Sequence, residues 1–202
     1  MAADATPIER QWRDAFMDAL GQSAQREPLR EAALAEDLMA WTAALTVVVA
    51  ESFSRCGWSV AAKQHRATAL PMARQEYLGI DVMAFQAGTV GDASATWRWP
   101  AAAAELENST TDRAVAYSLW KVLCVQARLR IVFAYRRDWE AGRGLVRELT
   151  ESVVRPLWDD AELAPKVPVL IALGSRGEGE TFPHGYFKFW KLDTNVREFA
   201  KF

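Results

Sequence analysis

Apolar residues recur near the start of the chain as Trp12, Phe16 and Leu20, at i, i+4 and i+8, the spacing of one helix face. Residues 21–28 are polar and end on Pro28, so they read as a loop. A long helical pattern rich in Ala and Leu follows over residues 29–56, closed by Gly57. Its second half, with Leu45, Val47, Val48 and Val49, is apolar nearly all round, which predicts burial against something large. The period then changes. Residues 77–86 alternate, with Tyr77, Gly79, Asp81, Met83 and Phe85 on one side and Leu78, Ile80, Val82 and Ala84 on the other. Residues 88–93 are turn-like, and 96–107 read as the next strand, with Pro100 marking a bend. A capping box at 109–112 starts a helix over 112–126. A strand at 128–135, a helix at 139–154 capped by Asp138, a strand at 167–173, a glycine-rich loop at 174–180 and an aromatic strand at 186–192 complete the pattern. Mixed order of this kind predicts an α/β fold, a central sheet flanked by helices.

Composition narrows the chemistry. The chain has 202 residues, half of them hydrophobic, and a formal net charge of −2. That excludes a disordered chain, a collagen and a uniformly basic coat protein. Two cysteines, Cys56 and Cys124, read as core thiols, and the only histidines are His65 and His184. A thiolate cage or a multi-histidine centre is therefore out of reach, and any metal must be held mainly by oxygen. The longest apolar run, residues 41–50, is about half the ~20 residues that span a membrane. The N-terminus lacks a signal-peptide core, so the expected setting is cytoplasmic, with no membrane.

Three acids sit in otherwise apolar runs. Glu105 and Glu107, two apart on a strand, share one face, and Asp81 lies on the strand before. If the two strands pair, the three carboxylates can converge. Ionised carboxylates in buried surroundings need a cation, and hard oxygen donors suit Mg²⁺ or Mn²⁺, which activates water and neutralises charge on a phosphodiester.

The order helix, Asp-bearing strand, Glu-x-Glu strand, helix, strand resembles the PD-(D/E)xK nuclease superfamily. The resemblance rests on Ile80-Asp81 and Ala104-Glu105-Leu106-Glu107 and covers residues 29–135. It implies a restriction endonuclease-like αβββαβ core, with residues 1–28 as a helical extension and 136–202 adding a helix and C-terminal strands to the same single domain. It also implies an Mg²⁺- or Mn²⁺-dependent nuclease acting on DNA, with Asp81 and Glu105 as metal ligands. The position usually held by lysine is Glu107 here. In other members the lysine moves to the following helix, where Lys121 stands. Glu51 matches the acid that the first helix often contributes to the metal. The alternative is an inactive protein of the same fold that serves binding or assembly.

Other features add partners rather than chemistry. A nuclease of this size is expected to dimerise or to work with a targeting protein. Arg128 and Arg130, with Arg136, Arg137, Arg143, Arg147 and Arg155, form a candidate basic stripe for phosphates, equally consistent with a salt-bridged surface. Trp97 and Trp99 alternate on one strand face and are candidates for base stacking, core or an interface. Tyr186, Phe187, Phe189 and Trp190 offer a contact surface or a strand packed on its own sheet. The glycine-rich loop is neither a Walker A loop nor a dinucleotide fingerprint.

Overall fold

Alternation along a central strand sorts this chain into three layers. In the computed structural model, which describes residues 6–87, 96–158 and 166–202, strand β3 (Ala102–Leu106) sends Ala102, Ala104 and Leu106 into one core and Ala103 into the other. Helices α1 (Ile8–Gly21), α2 (Ser23–Leu34) and α3 (Leu38–Arg55) cover the first face. Helices α4 (Asp112–Leu123) and α5 (Trp139–Leu149) cover the second. A short π turn, Thr150–Val154, carries α5 into α6 (Arg155–Leu157).

The remaining strands are β1 (Trp58–Ala62), β2 (Val82–Gln86), β4 (Leu129–Arg136), β5 (Val169–Ser175), β6 (Phe187–Asp193) and β7 (Glu198–Lys201). They form one seven-stranded mixed sheet whose spatial order equals their chain order. β1, β2 and β3 make an antiparallel meander. β3, β4 and β5 are parallel, joined by α4 and by the α5 segment. β6 and β7 return antiparallel. The α/β class and the helix-flanked mixed sheet expected from the pattern are thus present.

The first core is aromatic. Trp12, Phe16 and Phe133 are fully buried, with Trp12 and Phe16 stacked at 5.5 Å and Phe16 meeting Phe133 at 5.4 Å. The Trp12 indole N–H donates to Ser52 Oγ at 3.0 Å, which satisfies the one polar atom the ring carries inside.

Several boundaries differ from the sequence pattern. The expected helix over 29–56 is two helices. Glu36 adopts a left-handed φ of 53°, Asp37 N–H donates to Ala32 O, and Glu36 N–H donates to Ala33 O. This is a Schellman stop made without glycine. Asp37 then caps α3 by accepting from the N–H groups of Met39 and Ala40. Pro28 does not stop a helix but sits within α2. The expected strand at 77–86 begins only at Val82, because Leu78 and Gly79, at φ of 57° and 65°, turn the chain first. The segment before β3 is not a strand, so Trp97 and Trp99 share no strand face and both are exposed. The turn expected at 88–93 lies outside the described residues. Tyr186, Phe187, Phe189 and Trp190 are buried against their own sheet, which removes them as a contact surface. Cys56 is half-buried, its thiol pushed up to about 11 by burial. Cys124 is exposed rather than part of the core. Among the described residues no helix is long and apolar enough to cross a membrane.

Candidate active site

The antiparallel register Val82↔Ala104, continued by one residue, sets Asp81 opposite Glu105. Directly opposed residues point to the same face of the sheet, here the face under α4. Each acid accepts from a backbone N–H of the opposite segment. Asp81 N–H donates to Glu105 Oε1 at 3.3 Å, and Leu106 N–H donates to Asp81 Oδ2 at 2.8 Å. Lys121, in the last turn of α4, reaches down to Glu105 Oε2 at 2.7 Å and donates to Gly79 O at 2.8 Å. The turn that shortens β2 therefore has a use: it turns the Gly79 carbonyl toward the lysine.

Two carboxylates thus share one ammonium. Burial pushes the Glu105 carboxyl up to about 7, against the pull of Lys121 and with a further push from Asp81. Burial also raises Asp81, although the Leu106 N–H and Lys121 pull the other way. Lys121 loses hydration too, but Glu105 and Asp81 outweigh that loss and hold its ammonium above the ordinary lysine range. Desolvation thus outweighs the single ammonium at both acids, while at the lysine the two acids outweigh desolvation.

Glu107 lies on the same side but just past the end of β3. Its carboxylate accepts from Ser109 N–H at 2.7 Å and from Ser118 Oγ at 3.2 Å, fixing the turn into α4. Its charge is felt at Asp81. Even so, the expected convergence of three acids on one point does not occur: no three His, Cys, Asp or Glu side chains gather into a metal-binding group among the described residues. Glu51 does not join either. It pairs with Arg55 of its own helix at 3.0 Å. It also stands nine residues, roughly 14 Å along the helix, from Thr42, whose hydroxyl meets Asn108 just beyond Glu107.

The basic stripe is partly consumed within the fold. Arg130 is buried and donates to Val125 O at 2.9 Å, so it does not share an exposed face with Arg128. Arg136 is buried against Asp112, and Arg155 is held between Glu151 and Glu198. Arg137, Arg143 and Arg147 remain exposed.

Sequence reading missed Gly79 and Ser118 as supports of the site. A glycine two residues before the acid was the available signal for the first. A serine on the otherwise apolar stripe of α4 was the signal for the second.

No protein-family model, characterised protein or solved structure matches this chain.

Proposed function

We propose that the chain is a nuclease of the PD-(D/E)xK kind, hydrolysing DNA phosphodiester bonds with the help of a carboxylate-held Mg²⁺ or Mn²⁺. The observation that carries this reading is the Asp81–Glu105–Lys121 cluster, with the lysine delivered from the helix after the second acidic strand at 2.7 Å from Glu105. The succession α3, β1, β2, β3, α4, β4 is the αβββαβ order of a restriction endonuclease-like core and supports the same assignment.

The donor set fits Mg²⁺ better than a closed protein cage. Magnesium keeps several waters and commonly takes one or two carboxylates. Asp81 and Glu105 supply two, and they lack the positive charge an ion brings. When bound, such an ion neutralises charge on the phosphodiester and makes its own water more acidic. Lys121 then holds a proton-bearing ammonium beside the acids, placed to orient the attacking water or a phosphate oxygen. Glu107, occupied by Ser109 and Ser118, shapes the backbone around the site instead of handling water.

A second reading, an inactive binding or assembly module of the same fold, draws on the closed Lys121–Glu105 ion pair and on the lack of a third metal-ligating side chain beside the two acids among the described residues. Incubation of the purified chain with plasmid, single-stranded DNA and RNA, with Mg²⁺, Mn²⁺ or EDTA, separates the two. The nuclease reading expects divalent-dependent DNA cleavage that Asp81→Asn abolishes while the fold is retained. Absence of cleavage on every substrate, or cleavage indifferent to Asp81→Asn, overturns it. A homodimer or a targeting protein is the expected means of making a double-strand break.

A further inference from the structure

We propose that Arg143, Lys188 and Lys201 form a phosphate-binding patch that holds the backbone of DNA without regard to its bases. The three come from different elements. Lys188 stands two residues before Trp190 in β6, on the face that α5 covers. Lys201 lies opposite Trp190 in the register of β6 and β7, so it points to the same face. Arg143 lies one turn beyond Trp139, the first residue of α5.

A ring joins them. Lys188 Nζ sits over the Trp139 ring at 3.6 Å from its centre, and Trp139 packs in turn on Trp190 at 6.4 Å. A cation–π contact of this kind fixes the ammonium without supplying an opposite charge.

What the cluster lacks is an acid. Arg136, Arg137, Arg155 and Lys191 each have a carboxylate partner. Arg143, Lys188 and Lys201 have neither an ion pair nor a hydrogen bond among the described residues. They do feel one another. Partial loss of hydration, then Lys201 and Arg143, hold the Lys188 ammonium below the ordinary lysine range, while Glu178 of the 3₁₀ turn Arg176–Thr181 pulls the other way. Like charges held together disfavour one another's charged form, and an anion among them removes the conflict.

Phosphate is the anion that suits this set, since a guanidinium takes two of its oxygens and an ammonium meets it as a point charge. The patch is open, because Arg143 and Lys201 are exposed. Salt screens exposed charges, so a single small anion is held poorly there. A polyanion gains from every counterion it releases. The choice of DNA among polyanions rests on the nuclease reading. Lys188, Leu173 and Ala134 stand side by side across β6, β5 and β4, and the β3–β4 register continued by one residue sets Glu107 next in that row. Lys188 is therefore three strand spacings from Glu107, about 14 Å, on the same face of the sheet. That is about four base pairs of duplex rise.

The test is fluorescence anisotropy of the full chain with a labelled duplex in EDTA. Without a divalent ion no metal-dependent cutting occurs, so binding and cleavage can fail separately. Binding is expected with Kd below about 100 µM and with a log–log salt slope of about −2.7 or steeper, for three phosphates. A second duplex of different sequence should bind equally. Arg143→Ala and Lys201→Ala, both exposed changes, should each weaken binding about threefold or more and make the slope shallower by about 1. Arg128→Ala removes an exposed cation at the amino end of β4 and should leave both unchanged. No binding of either duplex, indifference to both Arg143→Ala and Lys201→Ala, or an equal loss in Arg128→Ala would each overturn the proposal. So would pyrophosphate binding as tightly as the duplex, which assigns the patch to a free phosphate. Patch-dependent binding to phosphatidylserine vesicles in place of DNA would overturn it as well, by assigning the patch to a membrane.

Discussion

Lys121 and Glu105 meet at 2.7 Å although they belong to different elements, one closing a helix and the other closing a strand. The contact sets how two desolvated acids share one cation, and several measurable consequences follow from that sharing.

Replacing the lysine removes the only cation seen against these acids among the described residues. Lys121→Ala should lower divalent-dependent cleavage by at least about a hundredfold, read from plasmid nicking. Lys121→Arg should not restore it, because a planar fork does not fill the place of a compact ammonium between Glu105 and the Gly79 carbonyl.

Protonation of Glu105 should be visible in stability. Its folded-state carboxyl is pushed up to about 7, from an ordinary 4.5. The folded chain therefore binds that proton more firmly than the unfolded one, and this group subtracts stability as pH rises through that window, then no further. Glu105→Gln, which cannot ionise, should gain on the wild type between pH 4.5 and 7 and hold a constant gap above. Urea denaturation in EDTA at pH 4.5 and pH 8 gives the comparison. A gap that does not change with pH would mean that Glu105 ionises like a free carboxylate.

Gly174 has no room for a methyl group. Gly174→Ala puts a Cβ within 3 Å of two tyrosine rings on a buried strand. Overpacking of this kind costs about 1–3 kcal/mol. The expected signs are a lower urea midpoint with an unchanged m-value and a disturbed near-ultraviolet tyrosine signal.

Ser52→Ala should cost more than its size suggests. It leaves the Trp12 indole N–H buried without an acceptor, worth about 1–3 kcal/mol. At about 2–4 °C per kcal/mol for a chain of this length, thermal melting should fall by several degrees. Ser52→Thr, which keeps the hydroxyl, should recover part of it.

How much of this was legible before the structure depends on what each feature obeys. Strand cores such as 129–136 and helix caps such as Asp138 were legible because alternation and capping are local. The acids were legible because a charge in an apolar run is conspicuous, whereas Lys121 came only with the resemblance, as a lysine on the helix that follows. The break between α2 and α3 was hidden because a glutamate, not a glycine, takes the left-handed position at Glu36. β1 was not legible, because Trp58–Ala62 carries no alternation of its own and is defined by pairing with β2. The fate of the arginines was not legible: whether Arg130 faces solvent or Val125 O depends on the depth of β4 within the sheet. The cluster of Trp41, Tyr135 and Tyr186 draws on α3, β4 and the turn before β6, so no local window of sequence contains it.

The seven strands lie in the order in which they are synthesised. Each strand emerging from the ribosome finds its neighbour already made and never has to insert between two earlier ones. The residues of the acid–lysine cluster are therefore all present in the chain once α4 has been made, before β4 to β7 follow.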